Sequence, residues 1–165
     1  MPRGRPAPQG TAGFVELHAD PRGNRFVGRF SQQQVLRWLA EVEQQWAARG
    51  HGLCALELRS SGEFIGRSGL QYWQQFDEIE LGWTLKAEQW GRGYATEAAR
   101  AGLDWGLANL EADYFTALMK PGNFPSVKAA ERLGFSPRRQ DGLNGSSVTV
   151  YALNRPALSS ERQSG

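Results

Sequence analysis

Gln89-Trp90-Gly91-Arg92-Gly93-Tyr94-Ala95-Thr96 lies where a strand pattern gives way to a helical one. Before it, Asp77 to Leu85 alternates strictly: Ile79, Leu81 and Trp83 share one face, and Glu78, Glu80 and Thr84 share the other. After it, a helix is expected from about Gly93 to Asn109. Two glycines at this junction let the backbone turn tightly and aim successive N–H groups inward. The first turn of the helix adds unpaired N–H groups and a partial positive charge. Together they predict a cradle for a phosphate or pyrophosphate.

Downstream, Tyr114 to Met119 reads as a strand, and the crossover from the Glu80 strand has the length of a parallel βαβ unit. A short helix follows from near Asn123 and ends at Gly134 as its C-cap. Two last strands, around Phe135 and from Val148 to Leu153, flank a turn at Asp141-Gly142-Leu143-Asn144-Gly145. Upstream, Ser31 with Gln34 spells a capping box, and Phe30 with Val35 a hydrophobic staple. Val35, Leu39, Val42 and Trp46 then recur on one helical face, and Gly50 stops the helix. A shorter helix is expected around Phe14 to His18. Leu53 to Leu58 and Phe64 to Tyr72 read as strands joined by Ser60-Ser61-Gly62. This order implies an α/β domain with a mixed sheet and helices on both faces. Residues 1–13 read as a flexible lead-in, 14–155 as the domain and 156–165 as a disordered tail.

Composition excludes several classes. The chain has 165 residues, enough for one domain with a single core. Its 19 basic and 17 acidic residues leave a net charge of +2, which gives no general reason to expect nucleic acid or an anionic membrane as partner. Arg3 with Arg5 and Arg138 with Arg139 read as solvated surface. No run approaches the length of a membrane span, and Met1 to Gly13 lacks the apolar core of a secretion signal, so the expected location is the cytoplasm. Cys54 is the single cysteine, which excludes an internal disulfide and a cysteine metal site. Its apolar neighbours mark it as packed core, and no metal site is expected. Of six tryptophans, Trp38, Trp46 and Trp105 fall on helices, where core packing is the default. Trp73, with Tyr72, flanks a turn and is placed to line an acceptor pocket.

Three phosphate-binding motifs compete for the Gly-rich stretch. A P-loop needs a Lys after its last glycine, and Tyr94 follows Gly93. A dinucleotide fingerprint needs an acid at the end of the next strand, where Met119 and Lys120 stand. Trp90-Gly91-Arg92-Gly93-Tyr94-Ala95 resembles the acetyl-CoA motif of the GNAT N-acetyltransferase superfamily, Arg/Gln-x-x-Gly-x-Gly/Ala, with Trp90 in place of the leading Arg or Gln. Trp90 to Ala98 is similar to the form found in the branch that acetylates ribosomal-protein N-termini (RimJ/RimL-type). Asn123-Phe124-Pro125-Ser126 followed by Glu131-Arg132-Leu133-Gly134-Phe135 matches that branch's second element, with Arg132 for Lys. Asp20-Pro21 and Gly62-Glu63-Phe64-Ile65-Gly66 also fit, so the resemblance spans about residues 14 to 153. That branch opens with a strand of Arg-Leu-x-Leu-Arg type, and residues 1–13 hold nothing of the kind. The first strand is then missing or replaced, and the chain is a monomer or a homodimer.

The resemblance implies a mostly antiparallel GNAT-type sheet and acetyl-CoA as cofactor, with an amine as acceptor: a protein N-terminus or a small molecule. It implies that backbone near Thr84 and Leu85 binds the pantetheine arm and that Gln89, Trp90, Gly91, Arg92, Gly93, Tyr94, Ala95 and Thr96 hold the pyrophosphate. Asn123 and Ser126 would lie near the thiol end. Asn123 reads equally as a helix N-cap, with Ser126 at N3. Attack on a thioester requires a neutral amine, and therefore a base. Glu80 is the candidate and Glu78 its substitute, although either reads equally as a solvent-facing carboxylate. Many superfamily members place a tyrosine acid four residues before the Gly-Phe pair. Ala130 stands there, leaving Ser126 or solvent as donor. A non-catalytic acyl-CoA-binding module on the same fold is the alternative.

Overall fold

Helix α1 (Thr11–Ala19) sends Phe14 and Leu17 into the protein, and Phe14 packs against the rings of Trp38 and Phe64 at 5.7 and 4.9 Å. This is a computed structural model, and it describes residues 11–22 and 31–156. The lead-in assigned to residues 1–13 therefore overlaps α1. Residues 1–10, most of the tail and the staple residue Phe30 lie outside the described residues.

Helix α2 (Gln32–Arg49) starts where its capping box predicts. Ser31 Oγ accepts from the Gln34 N–H at 3.2 Å, and Gln34 Oε1 accepts from the Ser31 N–H at 2.8 Å. Gly50 closes the helix at φ 73°, a conformation that favours glycine. Val35 and Val42 of the expected face are buried.

Six strands form one sheet: β1 (Leu53–Glu57), β2 (Phe64–Trp73), β3 (Glu78–Leu85), β4 (Tyr114–Met119), β5 (Ser136–Leu143) and β6 (Ser146–Asn154). Their order is β1-β2-β3-β4-β6-β5. Only β3 and β4 run parallel; the remaining neighbours are antiparallel. Residues 1–10, where the sequence pattern lacks the expected first strand, lie outside the described residues. The closing turn is narrower than expected. Asp141, Gly142 and Leu143 pair with Val148, Ser147 and Ser146, leaving Asn144-Gly145 as a two-residue turn with φ 51° and 79°. Positive φ at both positions is the hairpin geometry that matches strand twist.

Helices cover both faces of the sheet. Adjacent strand residues point to opposite faces. Ala55 joins Phe14 and Val35 beneath α1 and α2, whereas Leu56 joins Ala98 of α3 (Tyr94–Asn109). Helix α3 lies close on its sheet face because Gly106 leaves room: a Cβ there would sit 2.7 Å from Leu70 Cδ1. Leu81, Leu103 and Phe115 fill this side of the core, and α4 (Phe124–Leu133) adds Ala130 and Leu133. Trp105, expected in the core, is instead 41% exposed.

Arg155 ties the end of β6 to the end of α3. Its guanidinium donates to the carbonyls of Leu107, Leu110 and Ala112. These include helix-end acceptors with no partner inside the helix, and the charge favours that end of the helix dipole. Arg155→Ala should cost about 2–3 kcal/mol and lower Tm by about 5–10 °C. Chemical and thermal denaturation would check this, and unchanged midpoints would refute it.

Candidate active site

Glu80 stands where β3 and β4 part. The two parallel strands register at Glu80 opposite Thr116, and two residues further along β4 the Leu118 N–H donates to Glu80 Oε2 at 3.2 Å. A side-chain carboxylate thus takes the place of a backbone acceptor and holds the strands apart. Trp73 Nε1–H donates to the other oxygen, Oε1, at 2.9 Å. Burial pushes the carboxyl above its ordinary range, opposed by these two hydrogen bonds and by the charge of Arg67. Glu80 is therefore no solvent-facing carboxylate.

Glu78 has the same strand face and a different fate. Arg139 grips its carboxylate through both terminal nitrogens at 2.8 and 2.6 Å, and the Tyr114 hydroxyl donates at 2.6 Å. The Arg139 hydrogen bonds hold the carboxyl below its usual range. Glu78 is committed to an ion pair and is withdrawn as the substitute base. Of the expected solvated pair, Arg138 is exposed and lies over the Tyr114 ring at 4.4 Å, whereas Arg139 is half-buried and also bonds Asp141 at 3.0 Å.

A cavity of about 180 Å³ opens at the strand split, with Glu80, Thr84 and Trp73 on its wall and Asn123 and Ser126 facing them from the start of α4. Asn123 occupies the N-cap position, yet its side chain makes no capping bond. Asn123 instead contributes to the cavity lining. Tyr72 turns away, its ring under Arg49 and its hydroxyl on Asp77 at 2.7 Å. Ala130 is fully buried in the core, so no acid stands at that position.

The Gly-rich loop leads from β3 into α3. Gly91 and Gly93 adopt φ 75° and 80°, and a Cβ on either would point into open space. Gly93 is the N-cap, and no side chain caps the helix, which leaves first-turn N–H groups available. Trp90, the departure from the motif, donates its indole N–H to the Leu85 carbonyl at 3.1 Å and so pins the loop to the strand end. Leu85 itself is buried with Ala98 and does not line the cavity; Tyr94 and Ala95 pack against the same cluster. Gln89 is buried in the 3₁₀ turn Ala87–Gln89, and its Oε1 has no hydrogen-bond partner. Arg92 is exposed beside the glycines, and Thr96 is half-buried in the first turn of α3. This exposed, uncapped helix start beside two left-handed glycines fits a pyrophosphate.

His18, Trp38, Arg67 and Lys120 also line the cavity and were not expected there. One signal was available: Arg67 sits inside the strand pattern Gly66-Arg67-Ser68-Gly69-Leu70, where a cation marks a special environment. Burial and the charge of Arg67 lower His18 to about 4, so it is neutral at pH 7. Burial raises the Cys54 thiol to about 11, which fits packed core rather than a nucleophile. Among the described residues no cluster of ligands could hold a metal, and no helix is long and apolar enough to cross a membrane.

Comparison with known proteins matches this geometry. The family model described as an acetyltransferase (GNAT) domain matches residues 5–136. The Bacillus subtilis protein YkkB is 30% identical over 141 residues, covering 84% of this chain and 77% of its own. The crystal structure of an acetyltransferase from Agrobacterium tumefaciens superimposes with a TM-score of 0.81 at 30% identity, covering 91% of this chain and 88% of that one. The ribosomal L7/L12 α-N-protein acetyltransferase RimL, solved in complex with coenzyme A, shares the fold at a TM-score of 0.70 and 15% identity, covering 88% and 89%.

Proposed function

We propose, from the premise that this chain belongs to the GNAT acetyltransferase family, that it transfers the acetyl group of acetyl-CoA to a primary amine by direct attack. The observation that carries the reading is Glu80. A half-buried carboxylate with a raised pKa faces a cavity that Asn123 and Ser126 also line, and the start of α3 is left uncapped. Acetyl-CoA supplies an activated thioester. The residues that would hold it are the Gly91 to Thr96 loop at its phosphates, backbone near Thr84 along its pantetheine arm, and Asn123 with Ser126 near its sulfur.

Glu80 takes the proton that the amine must lose, directly or through a water. Each carboxylate oxygen has two acceptor sites, so its bonds to Trp73 and Leu118 leave capacity for that proton. Backbone N–H groups at the end of β3 stabilise the charge that develops on the carbonyl oxygen. The carbon–nitrogen bond forms, the carbon–sulfur bond breaks, and the departing sulfur takes a proton from Ser126 or solvent. Holding the two reactants together can supply about 7–11 kcal/mol of the barrier. The test is release of free thiol from acetyl-CoA with a panel of primary amines, against a control without amine. Amine-dependent release supports the reading. Binding without turnover of any amine supports the second reading, a non-catalytic acyl-CoA-binding module, which the buried Ala130 in place of a tyrosine acid favours.

Trp73 makes a separable contribution as a wall of the acceptor side and a donor to Glu80. Trp73→Ala should raise the acceptor KM about tenfold and leave the coenzyme A Kd unchanged. Equal effects on both constants would place Trp73 in general packing instead.

A further inference from the structure

Arg67 lines the cavity, and the proposed reaction leaves it without a task. It projects from β2 with its guanidinium 5.0 Å from the Trp38 ring centroid. Its Nε is buried without a hydrogen-bond partner, and it forms no ion pair among the described residues. Among the described residues Glu80 is the only carboxylate in the lining, and both of its oxygens are engaged elsewhere. Burial lowers the guanidinium to about 10, so it stays charged at neutral pH. The remaining titratable groups facing the cavity are Lys120, a second cation, and the neutral His18. The pocket thus offers a half-buried, under-bonded cation across from a carboxylate.

A buried charge without a partner weakens a fold, and a guanidinium's planar fork matches a carboxylate through two parallel hydrogen bonds. We infer that the acceptor is a small zwitterion, an amine whose own carboxylate is held by Arg67 while its amine faces Glu80. This rests on the acetyl-transfer reading and narrows its acceptor. Both ends of such a molecule meet opposite charge inside one cavity. A bare peptide N-terminus brings only the amine.

The test pairs glycine, β-alanine and 4-aminobutyrate with glycinamide, β-alaninamide and butylamine, and adds 2-aminoethyl phosphate and a neutral tetrapeptide. Turnover is followed by thiol release, and binding by calorimetry on the coenzyme A-loaded protein, for the unaltered chain, Arg67→Gln and Arg67→Lys. The acids should exceed their neutral partners in kcat/KM by about 10- to 100-fold. Arg67→Gln should erase that preference by raising KM for the acids alone, with the coenzyme A Kd unchanged, and Arg67→Lys should restore part of it. Acids should also raise the Tm of the unaltered protein and leave that of Arg67→Gln unmoved. Equal use of acids and neutral amines overturns the inference, as does an Arg67→Gln loss shared by both. Preference for 2-aminoethyl phosphate overturns the carboxylate assignment, and preference for the tetrapeptide overturns the small acceptor. Arg67-dependent binding of acids without acetylation of any amine would keep the anion site and sink acetyl transfer.

Discussion

Gly93→Trp is expected to abolish acetyl-CoA binding in a calorimetric titration, a loss of at least about 100-fold in Kd, while the protein remains folded. Gly93 is the N-cap of α3 at φ 80°. No neighbouring atom lies within 4 Å of where its Cβ would be. An indole there meets no protein wall and projects from the start of the helix, over the N–H groups that would receive phosphate oxygens. The left-handed backbone costs a non-glycine residue about 1–2 kcal/mol, small enough for the domain to keep its core. Gly93→Ala separates the two effects, because it carries the same backbone cost with almost no bulk. Alanine should lower Tm and weaken binding modestly, and tryptophan should lower Tm similarly and remove binding. Unchanged affinity in Gly93→Trp would reduce the Gly-rich loop to a structural turn and overturn the cradle.

The elements that carry their own signals were legible in the sequence. The capping box at Ser31, the alternation of β3 and the glycine at the end of α4 each depend on neighbours a few residues away, and each element lies where its pattern put it. The Asn144-Gly145 turn was read too broadly, because strand pairing extended to Leu143 despite the turn-forming Asp141-Gly142. Side-chain partners were less visible. Nothing local distinguishes Glu78 from Glu80, two residues apart on one face; Arg139, 61 residues away, claims one, while Trp73 and Leu118 claim the other. This side of the cavity is assembled from α1, α2 and β2, so His18, Trp38 and Arg67 meet only once the chain folds. Trp90 broke the phosphate motif on paper, yet its bond to the Leu85 carbonyl fastens the loop to the strand end.

Glu80→Gln carries the other large effect: kcat/KM should fall by about 10²–10⁴-fold, with the coenzyme A Kd unchanged. Glutamine keeps the volume and one acceptor oxygen, so it can satisfy either the Trp73 indole or the Leu118 amide but not both. That loss is a single hydrogen bond, about 1 kcal/mol. Linkage offsets part of it. A carboxyl whose folded pKa is raised stabilises the fold below its unfolded pKa, and that contribution is lost as pH rises through the folded value. The glutamine, neutral at every pH, therefore removes a charge that costs stability wherever the carboxyl is ionised. The pH profile distinguishes a base from a wedge between strands. A base works only when ionised, so kcat/KM of the unaltered protein should rise with pH through a limb above the ordinary carboxylate range. In Glu80→Gln that limb should vanish, and the residual rate should depend only on the fraction of neutral amine in solution. If the limb persists in the variant, the proton goes elsewhere and Glu80 serves only to hold β3 and β4 apart.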